Sequence, residues 1–329
     1  MKFGVLIAAL AGLAIATGVV GYIGFGAVFS ALSTIGWRGL AFLSLYSALP
    51  LALLGGAWFV IGHSPRIGQW GAFVWARLVR DAGSELLPFS HVGGFVIGAR
   101  AAILRGVTPT AAYSTTIVDV TAEIIAQLGF TGLGLGLLVL RLGGQRASHA
   151  SLILAIAVGL ALTGAGAAAL IALQRRGGGL VERLAERFVP SAAERTGEVT
   201  RALNTLYAAP WRIAAGVVFH LLAWVASAAG VWLALRLAGF SIDLPAILAL
   251  ESLVGAAKSA AFMAPMGIGV QEASYAVIGP LFGLGPDLSL ALSLLKRARD
   301  LICGVPALVV WQGMEGVRLV GREPGLPKA

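Results

Sequence analysis

Asp119, Glu123 and Gln127 recur every four residues, a spacing that stacks all three on one face of a helix, and Thr116 extends the stripe. Further along, Ser289, Ser293, Lys296 and Asp300 form a similar row, with Arg297 and Arg299 alongside. Both rows sit inside long apolar runs. Insertion into a bilayer costs about 2.5–3.5 kcal/mol for one ionised residue at a helix centre, so the rows must pair or line a wet cavity. The acids suit hydroxyls or an amine; Lys296, Arg297 and Arg299 suit a phosphate or polyol oxygen.

A second set lies in two interrupted stretches, about 67–105 and 247–283. The first runs through Arg77, Arg80, Asp81, Glu85, Pro88, His91, Gly93 and Gly94. The second runs through Glu251, Lys258, Pro265, Gly267, Gly269 and Glu272. Each reads as a helix, a proline-led turn and glycines that permit close backbone approach. Freed amides at such a break suit an anion, and freed carbonyls suit a cation or hydroxyl. Glu251 and Lys258, seven apart, share a helix face and are expected to pair. His91 alone reads as a turn histidine with its hydrogen bonds satisfied.

Enzyme chemistry finds little support. The sequence lacks His-Glu-x-x-His, Gly-x-Ser-x-Gly, an aspartate-rich diphosphate site and the nucleotide-binding Gly-x-x-x-x-Gly-Lys-Ser/Thr. The histidines at 63, 91, 149 and 220 have no ligand spacing, and Cys303 stands alone, so neither a metal nor a disulfide framework is expected. No cofactor is expected.

The elements that carry these groups belong to a membrane. Of 329 residues, 58% are hydrophobic and 12% charged, and the mean hydropathy is +0.89. A water-soluble chain runs near a quarter charged. The formal charge of +9 is spread between apolar blocks with no dense basic tract, which fits positive-inside loops and argues against nucleic acid. Apolar blocks run from about Phe3 to Ile23, Leu40 to Ile61, Ala111 to Leu140, Ser151 to Leu173, Trp211 to Leu235 and Leu288 to Trp311. The first resembles a signal peptide at Ala14-Ile15-Ala16, but its apolar run continues past that box, so an uncleaved helix is expected.

The expected fold is therefore an all-α polytopic membrane protein: about six full spans plus two re-entrant or broken hairpins, six to eight transmembrane segments in all. Seven arginines and four glutamates between Gln174 and Arg212 mark 174–210 as a cytoplasmic linker, amphipathic in its first half. From it, Arg66, Arg77, Arg80 and Arg105 come out as cytoplasmic charges. So do both termini, with a tail over 315–329.

Displacing the chain by 177 residues sets Pro88 on Pro265, Gly106 on Gly283, Pro109 on Pro286, Glu123 on Asp300 and Asp119 on Lys296, without a gap from 88 to 125. Prolines are scarce, 13 in all, so their coincidence carries the argument. Two repeats follow, about 39–140 and 211–314. With three spans between the hairpins they enter the membrane from opposite faces, an arrangement that many transporters use. The displacement suggests an Asp119–Lys296 ion pair.

Pro265-x-Gly267-x-Gly269-x-x-Glu272, followed by Lys296-Arg297-x-Arg299-Asp300, resembles the flippase-like transmembrane family, the membrane domain of lysylphosphatidylglycerol synthases and their stand-alone relatives. The run Leu86-Leu-Pro88-Phe89-Ser90-x-x-Gly93-Gly94, then Gly98-Ala-Arg100, Leu104-Arg105-Gly106-Val and Asp119-x-Thr121-x-Glu123, is similar to its hopanoid-biosynthesis-associated branch. The resemblance covers about 35–315. It implies a lipid flippase or lipid-transfer role in the bacterial inner membrane, with hopanoids as cargo, membrane lipids as substrate and other lipid-biosynthesis membrane proteins as partners. Arg100 joins the substrate-binding candidates on this ground. The chain to residue 329 carries no aminoacyl-transferase domain, so lipid aminoacylation is not implied. Many relatives carry Gly-Glu where this chain has Gly94-Phe95, leaving Glu85 or Glu123 to stand in. An intramembrane lipid-modifying enzyme and a secondary carrier of a small solute are the alternatives.

Overall fold

The computed structural model describes residues 33, 35–62, 69–87, 90–142, 190–260 and 269–320, with scattered positions between 150 and 172. Helices α1 (Gly36–Tyr46) and α2 (Ala48–Gly62) lead into a hairpin of α3 (Trp70–Leu86) and α4 (Ser90–Leu104), then the long α5 (Pro109–Leu142). After α6 (Pro190–Tyr207) come α7 (Pro210–Leu237), α8 (Leu244–Ala260), the short α9 (Val270–Ile278) with a 3-10 turn (Gly279–Phe282), and α10 (Pro286–Val320). The chain is an all-α, multi-pass membrane protein. The expected span Phe3–Ile23, the hairpin residues Pro88, Pro265 and Gly267, and 174–189 of the linker lie outside the described residues. The span Ser151–Leu173 is described only in scattered places.

Among the described residues, Gly36–Gly62, Pro109–Leu142 and Pro210–Leu237 are long and apolar enough to cross a bilayer. Helix α10 is 35 residues long, but Lys296, Arg297, Arg299 and Asp300 interrupt its apolar run, and Pro306 removes one backbone donor. It runs on to Val320, so residues 315–320 continue the helix. The two interrupted stretches are pairs of shorter helices, as expected. Leu87, with φ −104° and ψ 146°, takes the extended backbone that a following proline demands, and this stops α3. Its partner α4 then returns along it. At Gly94 a Cβ would lie 1.9 Å from Ser84 Oγ and 2.7 Å from the Arg80 carbonyl, so only glycine permits this approach.

The 177-residue displacement also relates local geometry. Gly106 and Gly283 both have positive φ, 91° and 84°. Each ends a helical segment with the same two hydrogen bonds: Val107 N–H to Ala102 C=O at 3.1 Å and Gly106 N–H to Ile103 C=O at 3.1 Å, against Leu284 to Gly279 at 3.1 Å and Gly283 to Pro280 at 3.2 Å. The next helix then opens alike, with Ala112 N–H on Thr108 C=O at 2.8 Å and Ser289 on Gly285 at 2.9 Å. Packing crosses between the halves: α3 lies against α10, and α5 against α8.

Large apolar side chains reach the outer surface while several ionisable ones are buried. Leu45 is 79% exposed and Leu140 73%, whereas Asp119 and His220 are wholly buried. Apolar packing around Leu43, Leu138, Leu235, Ile247, Leu250 and Leu292 joins α1, α5, α7, α8 and α10. A second cluster, around Trp58, Phe73 and Val79, seats the α3–α4 hairpin. Arg77 and Arg80, expected as cytoplasmic charges, lie buried within α3. Counting basic residues toward one side of the membrane cannot tell a loop arginine from one whose partner is inside the fold.

Candidate functional site

Asp119 and Glu123 face α3 from α5, one helical turn apart. Arg77 and Arg80 face back with matching helical spacing. Arg80 donates to Asp119 Oδ2 at 2.6 Å and to Glu123. Arg77 donates to Glu123 Oε1 at 2.7 Å and to Asp81 at 3.0 Å, and lies 3.6 Å from Asp119. His220 Nε2 stands 3.0 Å from Asp119 Oδ1, and the His220 Nδ1 has no partner among the described residues. The Phe95 ring lies 4.5 Å from the Arg80 guanidinium carbon, and the Trp58 ring 6.0 Å away. Asp119 and Glu123 both meet the guanidinium that Phe95 covers.

Asp119 and His220 each follow by ten residues the proline that opens their helix. At 1.5 Å per residue that is about 15 Å, half the thickness of a bilayer core.

The second half builds the same kind of layer with the signs exchanged. Here the hairpin helix carries the acid and the long helix the base. Lys296 donates to Glu251 Oε2 at 2.6 Å, and the Tyr275 hydroxyl donates to Oε1 of the same carboxylate. Lys258 reaches Glu85 at 2.9 Å and Gln271 Oε1 at 3.3 Å, tying one hairpin to the other. Gln271 Nε2 donates to the Ser293 carbonyl at 3.0 Å. Arg299 and Asp300 pair with each other.

Several expected pairs are replaced. Asp119 and Lys296 do not meet, because residues related by a displacement are equivalent, and equivalence does not entail contact. Each is met instead by the hairpin helix of its own half. Glu251 and Lys258 do not pair either; each finds a partner on another helix. Glu272 caps α9 by accepting from Gly269 N–H at 2.9 Å, where Gly269 has φ 80°, and it is held by Arg297 Nε at 2.9 Å. Arg100 binds Glu315 at 3.0 Å, away from both layers. Gln127 donates to Thr131 at 3.0 Å, one turn along its own helix. Gly93 and Gly94 lie in the first turn of α4, and Gly94 packs on α3.

Sequence reasoning misses His220 and Tyr275, and it reads Arg77 and Arg80 as charges of the first interrupted stretch without their partners on α5. The two arginines carried a signal, since Arg77, Arg80, Asp81 and Ser84 share a helical face. His220, alone in an apolar run, carried none. Ten residues of spacing from Pro210 become meaningful only once α5 lies alongside. Among the described residues no group of three His, Cys, Asp or Glu side chains is arranged to hold a metal ion. A cleft of about 720 Å³ opens beside the ends of α4 and α10, lined by Ile103, Leu104, Gly106, Gly313, Met314, Val317 and Arg318. The Arg100–Glu315 pair bridges the same two helices.

Residues 9–307 match the family described as the lysylphosphatidylglycerol synthase TM region. The chain belongs to that family. No curated protein and no solved structure matches it. Membership in the lysylphosphatidylglycerol synthase TM region family gives the buried ionic layers a setting, a multi-pass membrane protein with a membrane-lipid-related function.

Proposed function

We propose that the protein is a lipid flippase or lipid transporter that moves a polar-headed lipid across or out of the bacterial inner membrane, with a hopanoid or related lipid as cargo. The observation that carries this reading is the pair of ionic layers, Arg77–Arg80–Asp119–Glu123 and Glu251–Lys296–Tyr275, enclosed in a helix assembly that exposes large apolar side chains. Burying so many ions against hydrocarbon is costly unless they pair. Paired ions also offer a headgroup ready replacements for water: carboxylates for hydroxyls or an amine, guanidinium and ammonium groups for oxygen anions. The headgroup travels between the layers while the apolar body stays in the bilayer. Lys258–Glu85 joins the hairpins across that route and opens as the headgroup passes.

The shared turns at Gly106 and Gly283 and the crossed packing of α3 on α10 and α5 on α8 support two repeats of opposite orientation, about 39–140 and 211–314. Rocking one against the other alternates access. Both termini and the linker face the cytoplasm in this reading. Other lipid-biosynthesis membrane proteins hand over or receive the cargo.

Reconstituted vesicles separate the readings. A flippase changes which leaflet's lipids react with an impermeant label and leaves lipid masses unchanged. A new lipid mass overturns the proposal in favour of an intramembrane lipid-modifying enzyme. Uptake of a water-soluble tracer with no lipid movement overturns it in favour of a small-solute carrier.

A further inference from the structure

The 177-residue displacement that relates the two left-handed turns also sets Arg141 on Arg318, each in the last turn of its long helix. Arg141 reaches the turn of the other half. It donates to the Phe282 carbonyl at 3.4 Å, beside Gly283, lies 6.0 Å from the Phe282 ring, and pairs with Asp243 at 3.2 Å. Arg318 stands in the matching place: with Gly106, the counterpart of Gly283, it lines the cleft of about 720 Å³ beside the ends of α4 and α10. Of two equivalent contacts, one is filled and the other is open.

The open contact lacks what closes its counterpart. Among the described residues no ion pair or hydrogen bond engages Arg318. The position of Phe282 is taken by Arg105, a second cation, whose guanidinium carbon lies 5.3 Å from the Trp75 ring. The acids described nearby are already engaged: Glu315 is held by Arg100 at 3.0 Å, and Glu198 accepts from Thr110 at 3.1 Å. A cation in the last turn of a helix also complements the helix dipole. Arg141 does so and still holds a carboxylate, so that role leaves a guanidinium free to bind an anion. The rest of the lining is apolar, with Ile103, Leu104, Met314 and Val317, the last 75% exposed. A Cβ at Gly106 or Gly313 would meet nothing within 4 Å, so the space is open rather than packed.

An occupant that completes this cleft has an oxyanion at one end and hydrocarbon at the other. A guanidinium matches phosphate oxygens two at a time, and basic pockets between membrane helices take anionic headgroups. We propose that the cleft beside α4 and α10 is a binding site for an anionic phospholipid, its phosphate on Arg318 and an acyl chain along Ile103, Leu104, Met314 and Val317. The phosphate does for Arg318 what the Asp243 carboxylate does for Arg141. The site lies apart from the two ionic layers, and it stands whether or not those layers carry a headgroup.

The test uses the full chain in nanodiscs of phosphatidylcholine carrying a trace of phosphatidylglycerol with a diazirine on one acyl chain. After irradiation, mass spectrometry of peptides locates the label. It is expected to concentrate on 103–106 and 313–318, and to be displaced by unlabelled phosphatidylglycerol but not by added phosphatidylcholine. Arg318→Gln lowers labelling there by about fivefold. Gly313→Leu fills the open space while keeping the charge and also lowers it, whereas Arg141→Gln leaves it unchanged. Label spread evenly over exposed apolar positions such as Leu45 and Leu140 overturns the site. Equal displacement by phosphatidylcholine, or undiminished labelling in Arg318→Gln, overturns the role of the phosphate. Displacement by inorganic phosphate at the same concentration assigns the cleft to a small anion and overturns the phospholipid.

Discussion

Replacing Arg80 by methionine removes a charge and keeps most of the side chain's bulk. Arg80 is 2% exposed, donates to both Asp119 and Glu123, and lies over Phe95. In Arg80→Met three carboxylates share Arg77 alone, and Asp119 keeps only a contact 3.6 Å long to that guanidinium besides its bond to His220. Breaking a buried ion pair from one side costs about 3–5 kcal/mol. Loss of the stack on Phe95 accounts for about 0.5–2 kcal/mol of that. Arg80→Lys restores the charge, but a point charge cannot serve both carboxylates at once, so its cost falls between Arg80→Met and the native protein. Adding Asp119→Leu to Arg80→Met removes one stranded carboxylate, and the double variant loses less than the two single variants together, by about 0.5–3 kcal/mol. Equilibrium unfolding in mixed micelles, followed by far-ultraviolet circular dichroism, measures each value. An Arg80→Met variant within about 0.5 kcal/mol of the native protein, as for a surface substitution, would refute the sealed ionic layer.

The second layer predicts which charge exchange rescues. Glu251→Lys with Lys296→Glu restores lipid movement lost in either single variant, whereas Asp119→Lys with Lys296→Asp does not, as initial rates of leaflet labelling would report. Gly94→Ala pushes a methyl group onto Ser84 and the Arg80 carbonyl and costs about 1–3 kcal/mol in the same unfolding assay. Gly106→Ala and Gly283→Ala each cost about 1–2 kcal/mol, and by similar amounts, because both turns need the same left-handed backbone.

The parts of this protein written in local spacing are legible in its amino-acid order. Proline-led breaks, apolar lengths and the four-residue recurrence of Asp119 and Glu123 define the helices, the first hairpin and one face of one layer, because each depends on neighbours within a turn or two. The other face of that layer depends on where α3 comes to rest. Arg77 and Arg80 look like any arginines beside a membrane until α3 is laid against α5. His220 has no periodic companion, and its meaning comes from standing at the same depth as Asp119 on a different helix. The displacement that aligns Gly106 with Gly283 captures a shared backbone turn, since a positive φ is encoded by the glycine itself. Extending it to an Asp119–Lys296 contact fails, because each long helix is served by the hairpin helix of its own half.

In the proposed function the buried ionic layers form a route for a lipid headgroup. The most direct measurement compares the rate at which headgroup-labelled lipid changes leaflet in protein-free vesicles, in vesicles with the native chain and in vesicles with a folded Asp119→Ala variant. Fast exchange is expected with the native chain, and a fall toward the protein-free rate with Asp119→Ala. Equal rates in the native and Asp119→Ala vesicles would contradict it.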